Sequence, residues 1–183
     1  SALVANLLDM ARLQSGTVQL NRQWLPLQEV VGSTLAGLDE VLGGRQVDVD
    51  LPADLPLVEL DAVLIERVLV NLLVNADHAM EGSGTVCVSA DRIQVGRTLA
   101  DSLSVTEGSY VALRVSDSGC GMSADIRRHL FEPLFTTKKH GVGTGLGLAT
   151  AYATIRSFGG SIDVDSEVGR GSTFSLYLPA SAS

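Results

Sequence analysis

One stretch limits the possible folds more than any other: "DAVLIERVLVNLLVNADHAM", Asp61 to Met80, whose apolar residues recur at three- and four-residue steps before "EGSG" ends the pattern. It predicts a helix from Ala62 to about Met80, with the Asp61 carboxylate taking the free amides of the first turn. Val68, Leu69, Leu72, Leu73 and Ala76 require that helix to be buried. The flanking segments alternate as strands do: "TVQLNRQWLPL", "QVDVDL" and "PLVEL" before it, and "TVCVSADRI", "YVALRVSDS", "SIDVDS" and "STFSLYLP" after it. Further helices are expected over "LQEVVGSTLAGLDEVLGG", ending at Gly43-Gly44, over Ala124 to Leu130, and from about Leu146 to Phe158. The polar segment leading to Gly108 reads as a hairpin loop. Strands and helices without regular βαβ alternation predict an α+β fold, a two-layer sandwich in which helices cover one face of a mixed, mostly antiparallel sheet.

The chain has 183 residues, enough for one domain with a short appendage. Its longest apolar runs, such as "VLVNLLV", are too short and interrupted to cross a bilayer. That predicts a soluble domain without direct membrane contact. A formal charge of -8 excludes a nucleic-acid footprint, which needs a concentrated Lys/Arg surface. Any phosphate must then be held locally, by backbone amides, a metal or a few side chains. Cys87 and Cys120 lack disulfide or metal-type spacing, which fits a reducing cytoplasm. The opening "SALVANLLDMARLQSG" carries Leu3, Leu7, Met10 and Leu13 at helical spacing up to Gly16 and reads as the tail of a longer helix.

Four features stand out, three with chemical potential and a last one that reads mostly as scaffold. On the long helix, Arg67, Asn71, Asn75 and His78 fall on one stripe. A buried amide left unpaired costs roughly 1–3 kcal/mol, so two asparagines one turn apart in an apolar run point to a site facing a metal-bound ligand. "VSDSGCGM" puts Asp117 at the end of a strand with Gly119 and Gly121 beside it. "FEPLFTTKKHGVGTGLGLAT" places glycines at 141, 143, 145 and 147 before a helix whose first amides suit an anion, with Lys138 and Lys139 adding positive charge. Phe131, Leu134, Phe135 and Leu148 anchor that stretch at both ends, as befits a hinged lid. It is neither a Walker loop nor a Rossmann turn. "GGSIDVDSEVGRGSTFSLYLP" turns at Gly169 and Gly171 between two terminal strands.

In this order and spacing the four features resemble the N, G1, F, G2 and G3 boxes of the ATP-binding domain of sensor histidine kinases, in the superfamily that includes gyrase, Hsp90 and MutL. The likeness runs from about Trp24 to Pro179. "LLDMARLQSGTVQLNRQWLPLQEVV" through "NLLVNA" looks most like Kdp-type potassium sensor kinases. From "DHAM" onward, "SDSGCGM" and "FEPLFTTKKHGVGTGLGLAT" look more like nitrogen-regulatory or PAS-linked hybrid kinases.

The resemblance implies ATP and Mg²⁺ as cofactors and a role for each matching residue. Asn75 would coordinate the Mg²⁺ that bridges the phosphates. Asn71 stands where ATP-hydrolysing relatives carry a water-activating Glu, and an amide is no general base, so phosphoryl transfer is favoured over hydrolysis. Asp117 would accept the adenine amino hydrogen, with Gly119 and Gly121 giving the base room. His78 stands where several relatives carry Lys or Arg near the phosphates. Gly143, Thr144, Gly145, Leu146 and Gly147 would cover the triphosphate, with Lys138 approaching a phosphate, Phe131 and Phe135 fastening the lid, and Thr173 completing the site. None of His78, His129 and His140 lies in the expected phosphoacceptor motif. Residues 1–16 would be the remnant of the second helix of a dimerisation domain and residues 17–183 the catalytic domain. The implied partners are that dimerisation and histidine-phosphotransfer domain and a response-regulator receiver domain, in the cytoplasm. Competing functions are a non-catalytic ATP-sensing module and an ATPase or serine kinase of the same superfamily.

Overall fold

A computed structural model describes residues 8, 11, 12, 20–80, 83–133, 135 and 147–181. Strand β1 (Arg22–Leu25) leads through Pro26 into helix α1 (Leu27–Gly37), which buries Leu27, Val31 and Thr34 along one stripe. The expected helix to Gly43-Gly44 stops six residues early. Leu38 and Leu42 remain buried, but in turns that close at Gly43 and Gly44, both at positive φ. The apolar spacing there reports packing, while Gly32 and Gly37 weaken the helix itself.

Strand β2 (Val47–Asp50) and strand β3 (Val58–Asp61) precede helix α2 (Ala62–Ala79). Asp61 closes β3 and caps α2, its Oδ1 accepting from the amides of Val63 at 3.1 Å and Leu64 at 3.2 Å. The Ile65, Val68, Leu69, Leu72, Leu73 and Ala76 side chains are buried, each large one contributing about 1.5–3 kcal/mol relative to exposure.

The remaining elements are β4 (Val86–Val95), α3 (Arg97–Leu103), β5 (Gly108–Asp117), α4 (Ala124–His129), α5 (Gly147–Ser157), β6 (Ser161–Glu167) and β7 (Gly171–Pro179). β1 and β3 form a two-stranded antiparallel ribbon, and the other strands form one sheet in the order β2-β4-β5-β7-β6. Only β2 with β4 is parallel. Val88, Val111, Leu113, Val115, Phe174, Leu176 and Leu178 turn to the face that packs on α2 and α5. This is the mixed, mostly antiparallel sheet that the alternation predicts.

The opposite face is not bare. Helix α3 lies there, setting Ala100 and Leu103 against Val95, Tyr110, Ala112 and Tyr177. It replaces the hairpin loop expected before Gly108. Two turns with a glycine at the N-cap and only Leu99, Ala100 and Leu103 as apolar marks give almost no periodic signal. No helix among the described residues is long and apolar enough to cross a membrane.

Candidate functional site

Asn71 and Asn75 stand one turn apart on α2, both partly buried, while Arg67 and His78 of the same stripe are exposed. Asn71 does more than line the helix. Its Nδ2 donates to the carbonyl of Gly147, the first residue of α5, at 3.2 Å. A Cβ on Gly147 would sit 3.4 Å from Asn71 Oδ1, so the two helices meet closely there.

Asp117 ends β5 in phase with Val111, Leu113 and Val115, which turns its carboxylate to the helix-bearing face. Oδ1 accepts from the Gly119 amide at 2.9 Å. Burial pushes the carboxyl up from its ordinary range, against the opposing pull of backbone hydrogen bonds from Gly119 and Ser172.

The loop after Asp117 is clamped on two sides. The Cys120 amide donates to the carbonyl of Ala79, the last residue of α2, at 3.1 Å. On the other side, Gly169 donates to the Cys120 carbonyl at 2.8 Å and the Met122 amide donates to Ser166 Oγ at 2.8 Å. These contacts show a packing requirement at Gly119 and Gly121. An added Cβ would lie 2.5 Å from the Ala79 oxygen at Gly119, and 2.0 Å from the Glu167 oxygen at Gly121, where φ is +69°. Backbone of the protein itself fills that space.

Thr173 does not face Asp117. It pairs with Ser116 in register, and their hydroxyls lie 3.0 Å apart on the other side of the sheet. Ser172, directly opposite Asp117, is the residue sequence reasoning missed. It is buried, and its Oγ is 2.8 Å from that of Ser166. Only the β5–β7 register, which depends on distant pairing, decides which of the two neighbours points inward.

Lys138, Gly143, Thr144, Gly145 and Leu146 lie outside the described residues, as does Leu134. Phe131 stacks on Tyr152 of α5 with centroids 5.1 Å apart, and Phe135 tilts against His129 at 5.8 Å. Among the described residues no group of three or more His, Cys, Asp or Glu could hold a metal ion. In the set that the resemblance implies, Asn75 would offer one amide oxygen, a hard donor. That suits Mg²⁺, which keeps waters and draws other ligands from phosphates, and suits no ion needing a full protein cage.

The model of the "Histidine kinase-, DNA gyrase B-, and HSP90-like ATPase" family matches residues 60–182. The chain is 37% identical to the sensor kinase CckA of Brucella abortus (strain 2308) over 185 aligned positions, covering 98% of this chain and 19% of that protein. It is 35% identical to the sensor protein KdpD of Escherichia coli (strain K12), over 97% of this chain and 18% of the relative. It thus spans about a fifth of the length of these curated relatives. Among solved structures, full-length ShkA in complex with AMPPNP superposes on all of the chain with a TM-score of 0.79, at 24% identity and over 36% of its own length. By the extent of the family match, which takes in α2, the Asp117 loop and both terminal strands, this chain belongs to the histidine kinase-, DNA gyrase B- and HSP90-like ATPases.

Proposed function

We propose that this chain is the ATP-binding catalytic domain of a two-component sensor histidine kinase, passing the γ-phosphoryl group of ATP to a histidine on a dimerisation domain outside this sequence. One observation carries the reading: the Asp117 loop is docked, through Cys120 and Ala79, on the end of the helix that bears Asn71 and Asn75. The base acceptor at the end of β5 is thereby tied to the helix that carries the phosphate-side amides. Both relatives named above are sensor proteins or kinases, which supports the same reading.

In this scheme Asp117 accepts the adenine amino hydrogen, and Ser172 holds the carboxylate through its backbone amide. Asn75 would hold Mg²⁺, which would supply charge neutralisation at the phosphates when bound. Asn71 has its amide hydrogen on Gly147 and no basic lone pair, so it cannot deprotonate a water. The γ-phosphoryl group is therefore left for an imidazole of the dimerisation domain, whose phosphohistidine then serves a receiver-domain aspartate. Lys138, Gly143, Thr144, Gly145, Leu146 and Gly147 cover the triphosphate, and His78 stands at its edge. Residues 1–16 belong to the dimerisation helix and residues 17–183 to the catalytic domain, on the cytoplasmic side.

Calorimetry with MgATP tests the site. Asp117→Asn and Asn75→Ala are each expected to weaken binding by roughly tenfold or more, the scale of a lost charged or metal-linked contact. Unchanged affinity in both would refute the assignment. Mixed with a matching dimerisation domain, the chain should yield acid-labile phosphate. Intact ATP binding without incorporation would favour a sensing module, steady turnover an ATPase, and acid-stable phosphoserine a serine kinase.

A further inference from the structure

Arg45, in the turn between α1 and β2, spends its guanidinium on the far end of α2. Its Nε donates to Asp77 Oδ1 at 2.5 Å, its Nη2 to the Met80 carbonyl at 3.1 Å and its Nη1 to the Gly84 carbonyl at 3.1 Å. The side chain is only 11% exposed, and its bonds to Asp77 and Met80 are partly buried, whereas the one to Gly84 lies at the surface. A cation at a helix C-terminus also meets the negative end of the dipole, and the planar fork serves three acceptors that an ammonium could not reach together.

The last turn of α2 is the turn that holds the Asp117 loop. Ala79 offers its carbonyl to the Cys120 amide, and the Gly119 backbone rests against that same carbonyl. Met80, one residue on, gives its carbonyl to Arg45 and sets its Sδ 3.5 Å from the Ser118 hydroxyl. Arg45 and the loop thus hold the carbonyls of two consecutive residues, Met80 and Ala79. We propose that Arg45 is a positioning residue of the nucleotide site: by fixing the Asp77–Met80 turn it fixes the height at which Ala79 receives Cys120, and so the placement of the Asp117 carboxylate. The inference rests on the reading of Asp117 as the adenine acceptor. It adds a determinant that touches neither base nor phosphate.

The test uses the whole chain with ADP as the probe, below the unfolding transition of every variant. Arg45→Met is expected to weaken ADP binding by about tenfold, the scale of substitutions that act on a site through packed intermediates. Arg45→Lys, which keeps the charge and loses the fork, should fall between it and the parent chain. Hydrogen exchange at the Cys120 amide should quicken in the same order while exchange in β5 stays slow. A role confined to stability predicts a lower unfolding midpoint in both variants, with ADP affinity and Cys120 exchange as in the parent chain, and that result overturns the proposal. Should Arg45→Met fail to fold, Arg45→Lys alone decides by the same two measurements. A parent chain that does not bind ADP refutes the nucleotide reading itself, whereas a binding parent with equally binding variants refutes only the role of Arg45.

Discussion

Gly121 and Gly32 show how differently one residue type is used in this chain. Gly121 lies at φ +69° with the Glu167 carbonyl where its Cβ would go, whereas Gly32 sits inside α1 with nothing within 4 Å of that position. Gly121→Ala is expected to destabilise by about 1–3 kcal/mol, the cost of one forced backbone conformation, and Gly32→Ala to stabilise by about 0.5–1 kcal/mol. Urea titration of both variants measures the contrast, and equal midpoints would contradict it. Asp117 gives a second test. Burial makes its protonated form relatively favourable in the folded chain, so the folded state binds that proton more tightly than the unfolded state. Stability is accordingly gained as pH falls through the folded-state pKa and is lowest above it. Asp117→Asn should therefore unfold at the same or a slightly higher urea concentration at neutral pH, with the difference vanishing in acid. A variant much less stable at neutral pH would show that the hydrogen bonds from Gly119 and Ser172 outweigh the burial. Asp117 was legible in sequence because a carboxylate at a strand end followed by two glycines is a local pattern. That Ser172 and not Thr173 lies opposite Asp117 is set by register, and register is not local.

At the scale of the element, α2 announces itself: eighteen residues, a capping aspartate and an apolar stripe interrupted by two amides. Asp61 serves both this helix and the chain entering β1, since its Oδ2 accepts from the Asn21 amide at 3.0 Å. Asp61→Ala removes all three acceptor contacts and is expected to cost about 1–2 kcal/mol, at the upper end for an N-cap. Asp61→Asn, which keeps one oxygen for the helix amides, should recover part of that loss by the same denaturation assay. Short elements were the illegible ones. Helix α3 has too few turns for periodicity to build up, and its packing against Tyr110, Ala112 and Tyr177 becomes visible only once the sheet has two defined faces. The apolar spacing outruns α1 for the converse reason, because Leu38 and Leu42 continue it after the backbone has left the helix.

The whole molecule is organised around a sheet whose class follows from alternation and whose strand order does not. β2 is separated from β4 by β3 and α2 in sequence, yet it joins β4 in parallel and ends the sheet on one side, as β6 ends it on the other. Such pairings are paid for by long-range closure and leave no mark in a local window. The two outer strands have a colloidal consequence. β2 carries Asp48 and Asp50, and β6 carries Asp163, Asp165 and Glu167, so each outer strand of the sheet, among the described residues, presents carboxylates to a neighbouring molecule's rim. Like charge there opposes the strand-to-strand addition by which exposed rims seed aggregates. A chain with Asp48, Asp50, Asp163 and Asp165 all changed to Asn should keep its circular dichroism spectrum and scatter far more light at high concentration, and added salt should raise the parent's scattering toward it. In that sense part of the net charge of -8 works as a solubility device, placed where the backbone would otherwise invite company.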